Sequence, residues 1–140
     1  MKIQFNVSGK PVGKERPRYS QKTGGFYTPA KTKIFERHVA LCARQCMMEN
    51  AKKITSGAVA VNVVIFHKVP ASYNKQERAD ALANLSRPIK TPDVDNVLKC
   101  VMDGMQNVVY ENDSQVIDAR ARRYYGLDWS ANVEVEFYEN

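Results

Sequence analysis

No apolar stretch in this chain approaches the roughly 20 residues of a membrane-spanning helix, so no membrane is expected among its partners. Cysteine is scarce. Cys42, Cys46 and Cys100 are an odd set scattered through helical patterns, which argues against a disulfide framework. Cys42 and Cys46 lie one helical turn apart. No further cysteine or histidine stands at ligand spacing, so core packing is their expected role. The two histidines are isolated: His38 borders an apolar helical stripe, His67 ends a strand, and both are read as structural. The chain also lacks a glycine-rich phosphate loop, an internal repeat, a low-complexity tract and a separate linker. The opening Met1–Asn6 has no apolar core of a signal peptide, so the cytoplasm is the expected location.

A chain of 140 residues is expected to form a single domain, residues 1–140, around one core. Its formal charge is +6, unevenly spread. Residues 1–53 hold 12 Lys/Arg against 3 Asp/Glu, whereas residues 54–140 hold 9 against 12. The basic half attracts a polyanion, and nucleic acid is the commonest one. A basic body around a local acidic cluster suits a metal-dependent nuclease better than a protein that merely coats DNA.

Lys2 to Val7 alternates, with Ile3, Phe5 and Val7 on one face, and predicts a half-buried strand. Glycines and prolines between residues 9 and 17 exclude a helix there. Thr23-Gly24-Gly25-Phe26 predicts a hairpin tip between arms at residues 18–20 and 26–28. From Pro29, with Thr28 as N-cap, a helix runs to about Lys52, its stripe formed by Phe35, Val39, Cys42 and Cys46. Residues 58–66 are a near-continuous apolar run and predict a central strand buried on both faces. A short helix over 74–86, capped by Ser72 or Asn74, has a weak apolar side of Ala79, Leu82, Ala83 and Leu85. A second strong helix runs from Asp95 to about Val108, burying Val94, Val97, Leu98, Val101, Met105 and Val108. Residues 115–125 alternate again, with Ile117, Ala119 and Ala121 inward, and pair as an antiparallel hairpin with a last strand carrying Val133, Val135 and Phe137. The elements predict an α+β fold, a two-layer mixed sheet packed by two main helices.

The chemistry centres on Thr91-Pro92-Asp93-Val94-Asp95-Asn96-Val97-Leu98-Lys99. Two aspartates at i and i+2 lie about 160° apart on a helix but point the same way on an extended segment. Pro92 keeps its neighbourhood extended, which puts Asp93 before the helix and Asp95 at its cap. The carboxylates then converge ahead of a helix N-terminus, with Asp113 in a later turn as third ligand. Hard oxygens without imidazole or thiolate favour magnesium or manganese. Lys99, one turn into the helix, can hold the scissile phosphate or stabilise its developing charge. The bland alternative is an aspartate that only caps the helix and a Lys99 that only pairs with Asp95 and Asp103. D-x-D also occurs in sugar and nucleotide transferases.

Pro92 to Lys99, then Asp103-Gly104-Met105, then Asn112-Asp113-Ser114-Gln115-Val116, closely resemble the RusA family of Holliday junction resolvases. Gly9-Lys10-Pro11 and Lys14-Glu15-Arg16-Pro17-Arg18 also look like that family's N-terminal region. The resemblance implies a homodimeric, magnesium-dependent endonuclease, with manganese as a substitute, that cuts four-way junction DNA symmetrically in recombination and repair. It implies Asp93, Asp95 and Asp113 as metal-binding catalytic acids and Lys99 as the essential lysine. Asn112 stands where members often have a further aspartate, and Pro92 where some have a basic residue. Lys14, Arg16, Arg18, Arg120, Arg122 and Arg123 are the candidates for DNA-backbone contacts. Tyr19 or Phe26, at the hairpin, is a candidate wedge for a junction centre. The alternative from another class is a non-catalytic basic protein that binds branched or single-stranded DNA.

Overall fold

A computed structural model describes residues 1–14, 17–27 and 29–138. The first strand, β1 (Lys2–Ser8), follows its alternation: Ile3, Phe5 and Val7 are buried and the residues between them exposed. A two-stranded ribbon, β2 (Arg18–Ser20) and β3 (Gly25–Tyr27), pairs Tyr19 with Phe26. Gly24 sits at φ 67° in its turn, a conformation open to glycine. The long helix α1 (Ala30–Glu49) begins after Pro29, which occupies the cap position with no side-chain bond. The N-cap expected at Thr28 lies outside the described residues.

The central strand β4 (Val59–Lys68) is followed by two helices, α2 (Lys75–Leu82) and α3 (Val94–Met105). A single 3-10 turn, Asp113–Gln115, leads into β5 (Val116–Gly126), and β6 (Ser130–Phe137) follows. The four-stranded sheet is mixed, in the order β1-β6-β4-β5, with β4 parallel to β5 and antiparallel to β6. Helices α1 and α3 pack on one face. Phe35, Val39, Ala43 and Met47 from α1, Val97, Cys100, Val101 and Met105 from α3, Ile3, Phe5 and Val7 of β1, and Val59, Val61, Val63 and Ile65 of β4 form one core, with α1 against β1 and α3 against β4. Each fully buried valine, isoleucine, phenylalanine or methionine among them contributes about 1.5–3 kcal/mol.

Four expectations are corrected. The last two strands are not a hairpin, because β4 lies between β5 and β6. The most apolar strand takes the centre, and β5, reached through the helices, joins it in parallel. Second, β4 is fully buried on one face only; Ala60, Asn62, Val64 and Phe66 are half-buried, since both main helices cover the other side. Third, Ala119 and Ala121 share the face of their partners Val61 and Val63, yet on this edge strand Ala119 is exposed, and Ile117 is 64% exposed. Fourth, only Ala81 of α2 is buried, while Leu82 and Leu85 face solvent. What holds α2 in register is its cap: Asn74 accepts from the Glu77 N–H and Glu77 accepts from the Asn74 N–H.

The crossing of α1 and α3 depends on Gly104. A Cβ there would stand 2.8 Å from Val39 Cβ and 2.9 Å from the Glu36 carbonyl, too close for any side chain. Glycine thus brings the Asp103 end of α3 against Glu36.

Candidate active site

Helix α3 begins at Val94, with Asp93 and not Asp95 as its cap. Asp93 occupies the cap position with an extended backbone (φ −75°, ψ 149°), and its carbonyl accepts from the Val97 N–H. Its carboxylate makes no cap bond, so the bland role of a helix cap goes unfilled by that side chain. Asp95 lies in the first turn, where the positive end of the helix favours a carboxylate. Both aspartates are exposed, and among the described residues neither forms an ion pair.

The side of α3 further from its start is tightly paired. Lys14 Nζ lies 2.6 Å from Glu36 Oε1 and 3.0 Å from Asp103 Oδ2. Burial alone would lower the Lys14 pKa, but its hydrogen bonds and charge contacts with Glu36 and Asp103 outweigh that and raise it. The Lys14 N–H also donates to the Asn96 carbonyl at 3.0 Å, which fastens the loop after β1 along α3. Asp103 Oδ1 meets Lys99 Nζ at 3.4 Å, and Lys99 Nζ meets Asp113 Oδ2 at 3.5 Å. Lys99 therefore joins two carboxylates from different elements, and the expected pairing with Asp95 is absent among the described residues. Tyr110, buried between these elements, donates its O–H to the Met102 carbonyl at 2.6 Å. Its pKa is raised by burial first and then by the nearby charges of Asp113 and Asp103.

Asp113 is set by a built turn. The Asn112 side chain accepts from the Ser114 N–H at 2.9 Å, and Gln115 Oε1 accepts from the N–H groups of Glu111 and Asn112. Gln115 Nε2 donates to the Thr55 and Gly57 carbonyls, so the turn is pinned to the start of β4. Asn112 thus has a capping function that an aspartate would also serve. On the other flank, Arg123 Nη1 donates to the carbonyls of Lys90 at 2.7 Å and Pro92 at 2.9 Å, holding the segment just ahead of Asp93 against β5.

Asp93 opens into a groove of about 520 Å³ lined by Lys10, Lys14, Lys31, Thr91 and Asn96. The carboxylate of Asp93, with the Thr91 and Asn96 oxygens beside it, gives an all-oxygen donor set, which suits a hard divalent ion. No three acidic, histidine or cysteine side chains among the described residues group closely enough to hold one, so the acids are present without a formed cage. Lys99 lies against Asp113 as a positive neighbour. All three cysteines are free; burial pushes the Cys100 thiol up to about 12, with the Glu36 charge adding to it, so it stays protonated.

The candidate backbone contacts are dispersed. Arg18 is on the ribbon, Arg120 pairs with Asp118 at 3.6 Å, and Arg122 is exposed on the sheet face away from the helices. Lys14 and Arg123 are engaged in holding the site together, and Arg16 lies outside the described residues. Reading the sequence missed Glu36 and the groove lysines Lys10 and Lys31, but it set Asp103 on one face with Lys99, and the two side chains do meet. The signal for Asp103 was its place one turn after Lys99.

Residues 8–137 match the sequence profile of the family described as Endodeoxyribonuclease RusA. The chain belongs to that family. RusA-family proteins are nucleases that bind junction DNA and generally depend on a divalent metal ion. The chain is also similar to the Uncharacterized protein YqaN of Bacillus subtilis (strain 168), with 38% identity over 127 residues, covering 88% of this chain and 87% of that one. No helix among the described residues is long and apolar enough to cross a membrane.

Proposed function

We propose that this RusA-family chain is a magnesium-dependent, structure-selective endonuclease that resolves four-way DNA junctions by paired symmetric nicks, acting as a homodimer in the cytoplasm. The observation that carries the reading is the pairing of Lys99 with Asp113, two residues 14 apart in sequence that meet beside the exposed start of α3. Asp93, Asp95 and Asp113 would hold the ion. Bound there, a divalent cation supplies neutralising charge at the phosphate and a more acidic water. Lys99, 54% exposed, turns its ammonium from Asp113 to the scissile phosphate and stabilises charge that builds on it. Asp103 holds that ammonium, and the turn built on Asn112 and Gln115 keeps Asp113 in place.

Lys10 and Lys31 in the groove, with Arg16, Arg18, Arg120 and Arg122, meet the DNA backbone. Such contacts supply affinity that falls with salt and carry little sequence information. Tyr19 and Phe26 form an exposed edge-to-face pair, 58% and 75% exposed with ring centroids 5.5 Å apart. They are the wedge for a junction centre.

The test is a synthetic four-way junction labelled on each strand in turn and incubated with magnesium. Nicks at symmetric positions on opposing strands, with duplex of the same sequence left intact, are expected. Absence of cutting with both magnesium and manganese would overturn the enzymatic reading in favour of a DNA-binding protein.

A further inference from the structure

A second cavity, of about 330 Å³, opens where β4 and β5 end, and Lys10 and Thr91 line both it and the Asp93 groove. Its walls alternate aromatic rings with lysines. Trp129, Tyr125 and Tyr73 are half-buried, and Lys10, Lys68 and Lys90 are exposed around them. Lys10 Nζ lies 5.0 Å from the Trp129 ring centre, so a flexible, exposed side chain reaches that ring. The Tyr73 and Tyr125 hydroxyls are 3.1 Å apart and fix each other.

His67 lies in the same wall, 3% exposed, with its ring 4.7 Å from Trp129. Its Nε2 is buried and has no hydrogen-bond partner. Burial first, then the charges of Arg123 and Lys10, lower its pKa to about 4, so the ring is neutral near pH 7. Buried polar atoms are nearly always paired, and an orphan beside a cavity points to a missing partner. Simple packing of His67 beneath Trp129 accounts for the ring contact but leaves Nε2 unsatisfied. A phosphate alone would use the lysines and leave the aromatic walls idle.

We propose that this cavity takes one unpaired nucleobase of the strand whose backbone crosses the Asp93 groove, stacked on Trp129 and Tyr125 with His67 Nε2 as its polar contact. The inference rests on the nuclease reading for the course of that strand. The volume is at the lower end for small-molecule sites, which suits one base and excludes a base pair. Stacking on aromatic rings tolerates any base, and the lysines at the mouth take the flanking phosphates.

Trp129 is the one tryptophan of the sequence, so its fluorescence reports on the cavity without any need for cleavage. The whole protein is titrated, without metal, with a thymidine pentanucleotide and with a fully abasic pentamer of equal charge. Saturable quenching of Trp129 is expected with the first, and at least about tenfold weaker binding with the second. His67→Phe, which keeps a ring under Trp129, should weaken the pentanucleotide about tenfold while leaving the emission of the free protein and its melting temperature nearly unchanged. Unchanged Trp129 emission up to millimolar pentanucleotide overturns the proposal, as does equal quenching by the abasic pentamer, which would show phosphate binding only. Junction cutting is scored in parallel. Quenching without cutting keeps the nucleobase cavity and removes the nuclease reading; cutting without quenching does the reverse.

Discussion

The two ends of α3 set the same side chain in opposite surroundings. At its start, Asp93 and Asp95 are exposed, with no ion pair among the described residues. Two to three turns on, Asp103 is 21% exposed and lies between Lys14 and Lys99. A carboxylate already neutralised by two ammonium groups has little left for an incoming cation, whereas one that projects from a helix N-terminus without a cap bond is open to it. Lys99 stands at the border, bonded to Asp103 on one side and Asp113 on the other. On the proposed reading the exposed acids act and the paired acid holds, although D-x-D and the later aspartate are indistinguishable by composition.

The largest effects should come from the open end and its border. Asp95→Asn and Asp113→Asn are expected to lower junction cutting about a thousandfold, and Lys99→Ala about a hundredfold, in single-turnover assays with saturating enzyme. Junction binding by gel shift should persist in all three. Loss of binding in parallel with cutting would move these residues from chemistry to docking.

The folded His67 has a pKa of about 4 against about 6.5 unfolded, so between those values the unfolded chain binds a proton that the folded chain does not. Stability is fully present above pH 6.5 and falls as pH drops towards 4, by up to about 3 kcal/mol. Urea melts from pH 7 to pH 4 should show this slope in the native chain and lose most of it in His67→Phe.

The smallest expected effect is at the closed end. Lys14→Met leaves Glu36 and Asp103 half-buried without their shared cation, which costs about 2 kcal/mol and lowers the melting temperature by several degrees. Cutting by the folded fraction should change less than in Lys99→Ala. A loss of cutting as large as that in Lys99→Ala would place Lys14 with the acting residues.

Much of this was legible from spacing. The period of two at Ile3, Phe5 and Val7, and the helical stripes carrying Phe35, Val39, Val97 and Val101, are local signals that tertiary packing then uses unchanged. Strand order was not legible. Residues 116–126 and 130–137 are joined by a short turn and read as a hairpin, yet β4 inserts between them, because pairing is decided by which strand the helices cover. Partial burial of β4 and the exposure of Ala119 follow from the same one-sided cover. Within the site, the motif put Asp93 ahead of the helix, but Lys99 pairs with Asp103 and Asp113 and not with Asp95, and the sharing of Lys14 by Glu36 and Asp103 needs Gly104 to bring α1 against α3. The capping work of Asn112 became visible only with the hydrogen bonds of its turn in view.

The account is tested most directly by measuring cutting and melting temperature side by side in Asp93→Asn and Asp103→Asn. It predicts that Asp93→Asn melts like the parent and loses at least about a hundredfold in junction cutting. It predicts that Asp103→Asn melts several degrees lower and keeps more activity than Asp93→Asn when assayed well below its transition. Unimpaired cutting by Asp93→Asn, or a greater loss of cutting in a fully folded Asp103→Asn, would contradict the division of α3 into an acting end and a holding end.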